Sequence, residues 1–196
     1  MRAMDGACAI DLYWIPLGAG GYVVRHSGRV YEAILARRDH RRPEDLYHAA
    51  LVVLDHGQRY VIEMAPIWNT KSPERGVVRM GPVGLRVLGR FRAFRYEVRC
   101  WLGGQIPDLG YAVDSPRRVS DRPTVIANLL STIRDVPALT WGRDELHAGE
   151  MWNSNSLVAW LLARVCGGCD VIRPPAGGRA PGWNAGLLLA ARQASA

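Results

Sequence analysis

Tyr47-His-Ala-Ala-Leu-Val-Val-Leu-Asp-His-Gly-Gln-Arg-Tyr-Val-Ile-Glu-Met64 holds two apolar runs, 47–54 and 60–64, on either side of Asp55-His-Gly-Gln58. Val, Ile, Leu and Tyr suit a pleated, half-buried surface, and Asp and Gly suit a tight turn, so the spacing predicts a β-hairpin. Upstream, residues 8–15 and 20–25 read as strands around Pro16-Leu-Gly-Ala-Gly-Gly21, while Val30 to Arg38 fits a strand or a short helix equally. His40 to Asp45 is a charged loop. Downstream, Pro66 to Pro82 reads as a long Pro/Gly connection, a lid or a wandering loop, and Leu88 to Leu102 as a long, bent strand.

The C-terminal part changes period. Pro123 sits in the first turn of a helix expected over Thr124–Val136, with Ile126, Leu129, Leu130 and Ile133 on its apolar face. Met151-Trp-Asn-Ser-Asn-Ser-Leu-Val-Ala-Trp-Leu-Leu-Ala-Arg164 is the clearest element. Its Asn and Ser residues supply an N-cap, and Leu157, Trp160, Leu161 and Val165 fall at helical spacing. The tail from Pro174 to Gly186 is expected to wrap over the surface. Strands in the middle and helices behind them define an α+β class: one domain over residues 1–196, an antiparallel sheet packed on helices.

The 196 residues suit one packed core, and 48% apolar with 22% charged residues is ordinary globular usage. No run approaches the roughly 18–20 apolar residues that span a bilayer. Asp5 and Asp11 interrupt what would have to be a signal-peptide apolar region, so a soluble, cytoplasmic protein is expected. The formal charge is +7, and Lys71 is the single lysine among 25 cations. The arginines are scattered. Only Arg90-Phe-Arg-Ala-Phe-Arg-Tyr96 interleaves them with aromatics, and an alternating exposed strand face explains that stretch as well, so nucleic acid is not the expected partner.

His48 opens one hairpin strand and Glu63 stands near the end of the other. Neighbours across strands have Cβ atoms about 4.5–5.5 Å apart, a reach that allows an imidazole–carboxylate hydrogen bond. A carboxylate on one ring nitrogen leaves the other free as a general base. The third partner is a hydroxyl at a helix N-terminus, where the dipole and free N–H groups favour a developing oxyanion. Ser154 and Ser156 both stand there. Taken singly, each residue has a plainer reading: Asn153-Ser-Asn-Ser156 as a helix cap, His48 as a sheet-edge histidine, Glu63 as a partner for an arginine.

In this order, a His at a strand start, an acidic residue on the next strand and then Asn153-Ser154-Asn155-Ser156-Leu157-Val158 opening a helix, the chain resembles the circularly permuted NlpC/P60 group of papain-like proteins, which includes the lecithin:retinol acyltransferase-like branch. The likeness runs from about Tyr47 to Val165. Members carry a motif of the type Asn-Cys-x-x-Phe-Val, so the resemblance implies a permuted papain-like domain with Ser154 in the nucleophile position, His48 as base and Glu63 as the residue orienting it. It implies acyl transfer on a small-molecule or peptide amide or ester, without a cofactor. Asn153 and Asn155 are candidate oxyanion donors, with Ser156 the alternative nucleophile. The departure is the missing thiol. A serine has no thiolate route and needs its proton taken during attack, so the alternative is a retired site kept for binding.

The other chemistry-bearing residues read as structural. Cys166-Gly-Gly-Cys169 follows a helix and reads as its stop; Cys8 and Cys100 are isolated and make no second pair for zinc. Cys100 reads as a core residue, and His26, His40 and His56 as solvent-exposed. Asp144, Glu145, His147 and Glu150 would gather round a metal only through loop folding. Gly18-Ala-Gly-Gly21 lacks both the GxGxxG spacing and a P-loop lysine. Trp68, Trp101, Trp141, Trp152 and Trp183 fit a ligand groove or core packing equally.

Overall fold

A computed structural model of the chain describes residues 6–18, 37, 40, 42–67, 75–106, 108–166 and 172–195. The strand expected at 20–25 and nearly all of Val30–Arg38 lie outside these. So do His26, Trp68 and Cys169. The strands are β1 (Ala9–Pro16), β2 (Asp45–Asp55), β3 (Gln58–Pro66), β4 (Val77–Pro82), β5 (Arg95–Leu102), β6 (Val113–Ser120) and the two-residue β7 (Gly178–Arg179). The helices are α1 (Pro123–Thr132), α2 (Ser154–Val165) and α3 (Trp183–Ala194). Six strands form one antiparallel sheet in the order β4-β5-β3-β2-β1-β6, and β7 lies parallel to the start of β2. The class is α+β.

Period-two alternation divides the sheet into two faces. Ile10, Leu12 and Trp14 of β1, Tyr47, Ala49, Leu51 and Val53 of β2, Ile62 and Met64 of β3, and Tyr96 and Val98 of β5 join the main core with all three helices. On the other face Ile15, Ala50, Val52 and Val61 pack with Ile106 in a smaller cluster. His48 belongs by alternation to this second face, opposite Ile15 of β1.

Four local readings change. The 66–82 connection contains β4, which pairs with β5. As an edge strand with Val77, Arg79 and Met80 exposed, it shows no alternation of burial. The long strand expected from Leu88 begins only at Arg95, because Arg86–Arg90 and Arg92–Phe94 wind into 3₁₀ turns. The 123–136 helix has Arg122 as N-cap and tightens to a 3₁₀ turn after Thr132.

The tail lies on the surface only around 176–179, and from Ala180 onward it enters the core. The Trp183 ring sits 5.0 Å from that of Trp14, and α3 packs on α2 where Gly186 lets the backbones meet. A Cβ on Gly186 would lie 2.1 Å from the Ser156 carbonyl oxygen. Trp152 and Trp183 are core residues, and Trp141 packs against Tyr96.

Candidate active site at the start of the second helix

The N-terminus of α2 is built into the edge of β2. Leu46 accepts from Leu17 N–H on the β1 side, so the two-residue alternation turns Tyr47 C=O and Ala49 N–H toward the opposite edge. That edge has three successive neighbours: β7 at Asp45–Leu46, Asn155 at 47–49, and β3 from Leu51 onward. The Asn155 carboxamide stands in for a strand peptide. Its oxygen accepts from Ala49 N–H at 2.7 Å, and its nitrogen donates to Tyr47 C=O at 2.9 Å and Pro181 C=O at 3.0 Å.

Ser154 precedes that anchor. Its hydroxyl oxygen lies 2.7 Å from His48 Nδ1, with only 6% of the serine exposed. Burial pushes the half-buried His48 imidazole down to about 4, so at neutral pH the ring is uncharged. With the proton on Nε2, Nδ1 accepts from the Ser154 hydroxyl, the polarity that removes a proton from the oxygen. Among the described residues no hydrogen bond reaches Nε2.

The helix start leaves one donor open. Asn153 caps it in a reciprocal box: Asn153 Oδ1 accepts from Asn155 N–H at 2.9 Å and Ser156 N–H at 3.2 Å, and Asn153 N–H donates to Ser156 Oγ at 3.0 Å. Leu157 N–H reaches Asn153 C=O. The Ser154 N–H is left without a partner among the described residues, at the positive end of the helix and on the same residue as the hydroxyl.

The expected binding residues therefore take other duties. Asn153 Nδ2 donates to Pro181 C=O at 2.8 Å, and both Asn155 N–H donors are spent as above, so the Asn155 carboxamide is not free to meet an oxyanion. Ser156 donates to Gly182 C=O at 2.7 Å and is fully buried, which makes it a structural hydroxyl rather than a second candidate nucleophile. Its position inside the capping box was the available signal, since the third helical residue of such a box points back at the cap.

Glu63 is not hydrogen-bonded to His48. The β2–β3 register, with Leu51 opposite Ile62, sets Glu63 two positions away from the strand height of His48. Glu63 instead lies opposite Arg99 of β5, whose Nη1 donates to it at 3.0 Å. Arg99 also reaches Glu97 at 3.0 Å, and Arg75 grips Glu97 with two bonds of 2.8 and 2.9 Å. Burial holds the Glu63 carboxyl above its ordinary range against the pull of Arg99. Burial acts the same way on Glu97, but the Arg75 and Arg99 hydrogen bonds outweigh it and hold that carboxyl below the ordinary range.

The acidic group around His147 does not converge. Glu145 accepts from Thr140, Asp144 caps the Ala148 and Gly149 N–H groups, and Glu150 accepts from Gly182 and Asn184. Cys100 packs against the core, and burial pushes its thiol up. The helix-stop reading at Cys166 holds as far as the C-cap, beyond which the chain is not described. No family model, curated protein or solved structure matches the chain.

Proposed function

We propose that the chain is an acyl-transfer protein of the permuted NlpC/P60, papain-like type, acting on an amide or ester with Ser154 as nucleophile and His48 as base. The observation that carries this reading is the 2.7 Å contact between Ser154 Oγ and His48 Nδ1 at a helix start whose open N–H belongs to the same serine. The Ser154 oxygen attacks the carbonyl carbon while its proton passes to Nδ1, and the Ser154 N–H meets the oxyanion. Collapse of the tetrahedral adduct breaks the bond to the amine or alcohol, which leaves with the proton from His48. Water or another acceptor then releases the acyl group by the reverse sequence.

A second reading, a binding module on the same fold, is favoured by the low basicity of His48 and by its Nε2, which lacks a carboxylate partner among the described residues. A fluorophosphonate probe followed by intact mass separates the two. The enzyme reading expects one adduct on Ser154, absent in Ser154→Ala and about 100-fold slower or more in His48→Ala. No labelling, or labelling indifferent to His48, sinks it.

A further inference from the structure

We propose that Cys8, Asp55 and His56 form a zinc site at the end of the sheet remote from the Ser154–His48 pair. The antiparallel register of β1 with β2 has Ala9 opposite Leu54, so its continuation sets Cys8 opposite Asp55. His56 follows in a left-handed conformation (φ 48°), which folds its ring back so that Nδ1 lies 2.7 Å from Asp55 Oδ1. One donor atom from each of the three residues lies within 4.8 Å of the other two.

The approach is built into the backbone. Gly57 N–H donates to Ala7 C=O, and Gly6 lies so close over the turn that a Cβ there would meet the His56 carbonyl carbon at 2.4 Å. The segment before β1 is thus held against the hairpin turn, and Cys8 with it. Along the chain Cys8 stands 47 positions from Asp55, which is why a search for paired motifs passes over it.

The donor set selects the ion. Thiolate, imidazole and one carboxylate suit borderline Zn²⁺, whereas Mg²⁺ and Ca²⁺ want oxygen cages. Zn–S near 2.3 Å and Zn–N or Zn–O near 2.1 Å set tetrahedral donors roughly 3.4–3.7 Å apart, between the 2.7 Å of the His56–Asp55 contact and the 4.8 Å span of the set, so small side-chain movements on an exposed turn suffice. His56 is 68% and Asp55 27% exposed, leaving a fourth position for water. Asp55 and His48 are seven residues apart on one strand, about 23 Å at 3.3 Å per residue, so the ion stands outside the acyl-transfer chemistry. It would clamp the start of β1 to the β2–β3 turn.

Cobalt(II) titration of the reduced, metal-free protein tests this. One equivalent is expected to bind with a thiolate-to-cobalt charge-transfer band, displaced by Zn²⁺, and Zn²⁺ is expected to raise the unfolding temperature. Cys8→Ser should abolish the band, and His56→Ala, at an exposed position, should weaken binding at least about tenfold. Cys166→Ser should change neither. Absence of the band, its persistence in Cys8→Ser, unaltered affinity in His56→Ala, or its loss in Cys166→Ser overturns the proposal.

Discussion

The Ser154 hydroxyl meets His48 Nδ1 at 2.7 Å because the next residue, Asn155, is hydrogen-bonded into the edge of the strand that carries the histidine. Positioning of the Ser154 hydroxyl and anchoring of the helix are one structural act. The carboxamide fills the gap between β7 and β3 and leaves Ser154 as the first helical residue beside His48.

Asn155→Asp is expected to destabilise the protein by about 3 kcal/mol or more. The carboxylate would face Tyr47 C=O and Pro181 C=O in a site where only 4% of the residue is exposed, leaving buried acceptors against one another. Urea unfolding at pH 7 measures this, and a loss under 1 kcal/mol would remove Asn155 from its role as anchor.

His48 sets a pH dependence. Its native pKa of about 4 lies below the ordinary 6.5, so between those values the unfolded chain binds the proton and the native one does not. Stability is therefore full above about pH 6.5 and falls as pH drops toward 4, by up to about 3 kcal/mol. Denaturation of wild type and His48→Gln across this range should show the wild type losing more. Labelling of Ser154 should hold nearly level from pH 8 to about 5 and drop through 4.

Arg99→Met strips a 2%-exposed guanidinium from between Glu63 and Glu97 and is expected to cost about 3–5 kcal/mol at pH 7. Arg75 still neutralises Glu97, so the deficit falls mainly on Glu63. Adding Glu63→Gln should then recover part of the loss, and a double mutant as unstable as the sum of the singles would show the two residues to be uncoupled.

Gly186→Ala drives a Cβ to 2.1 Å from Ser156 C=O and 2.8 Å from Trp160 N, both backbone atoms. Because α3 has to move off α2, a loss of about 1–3 kcal/mol is expected in thermal unfolding. An unchanged midpoint would mean that the two helices have room to part.

Much of this architecture was legible in the chain. The 47–64 hairpin and the 151–165 helix announce themselves through alternation, turn residues and a capping signature, all local properties. β4 did not, since an edge strand exposed on both faces carries no burial rhythm, and neither did α3, whose packing depends on Gly186 meeting the backbone of another helix. Within the candidate site, Ser154 and His48 were legible as a hydroxyl at a helix start and a histidine at a strand start, together with the motif order. The partner of Glu63 was not readable, because a two-position offset in strand register decides between an imidazole and an arginine, and β5 had to be placed beside β3 before Arg99 could be seen to compete.

The sequence by itself determined the 47–64 hairpin, the 151–165 helix and the presence of a serine at that helix start, because periodicity and capping act over a few neighbouring residues. Only the tertiary structure decided what those residues touch. It uses Asn153 and Asn155 to hold the backbone, leaves the Ser154 N–H without a partner among the described residues, and brings Cys8 to the Asp55–His56 turn. These outcomes depend on register, on the insertion of a helix into a sheet edge and on close backbone approach, which join residues from 26 to 108 positions apart.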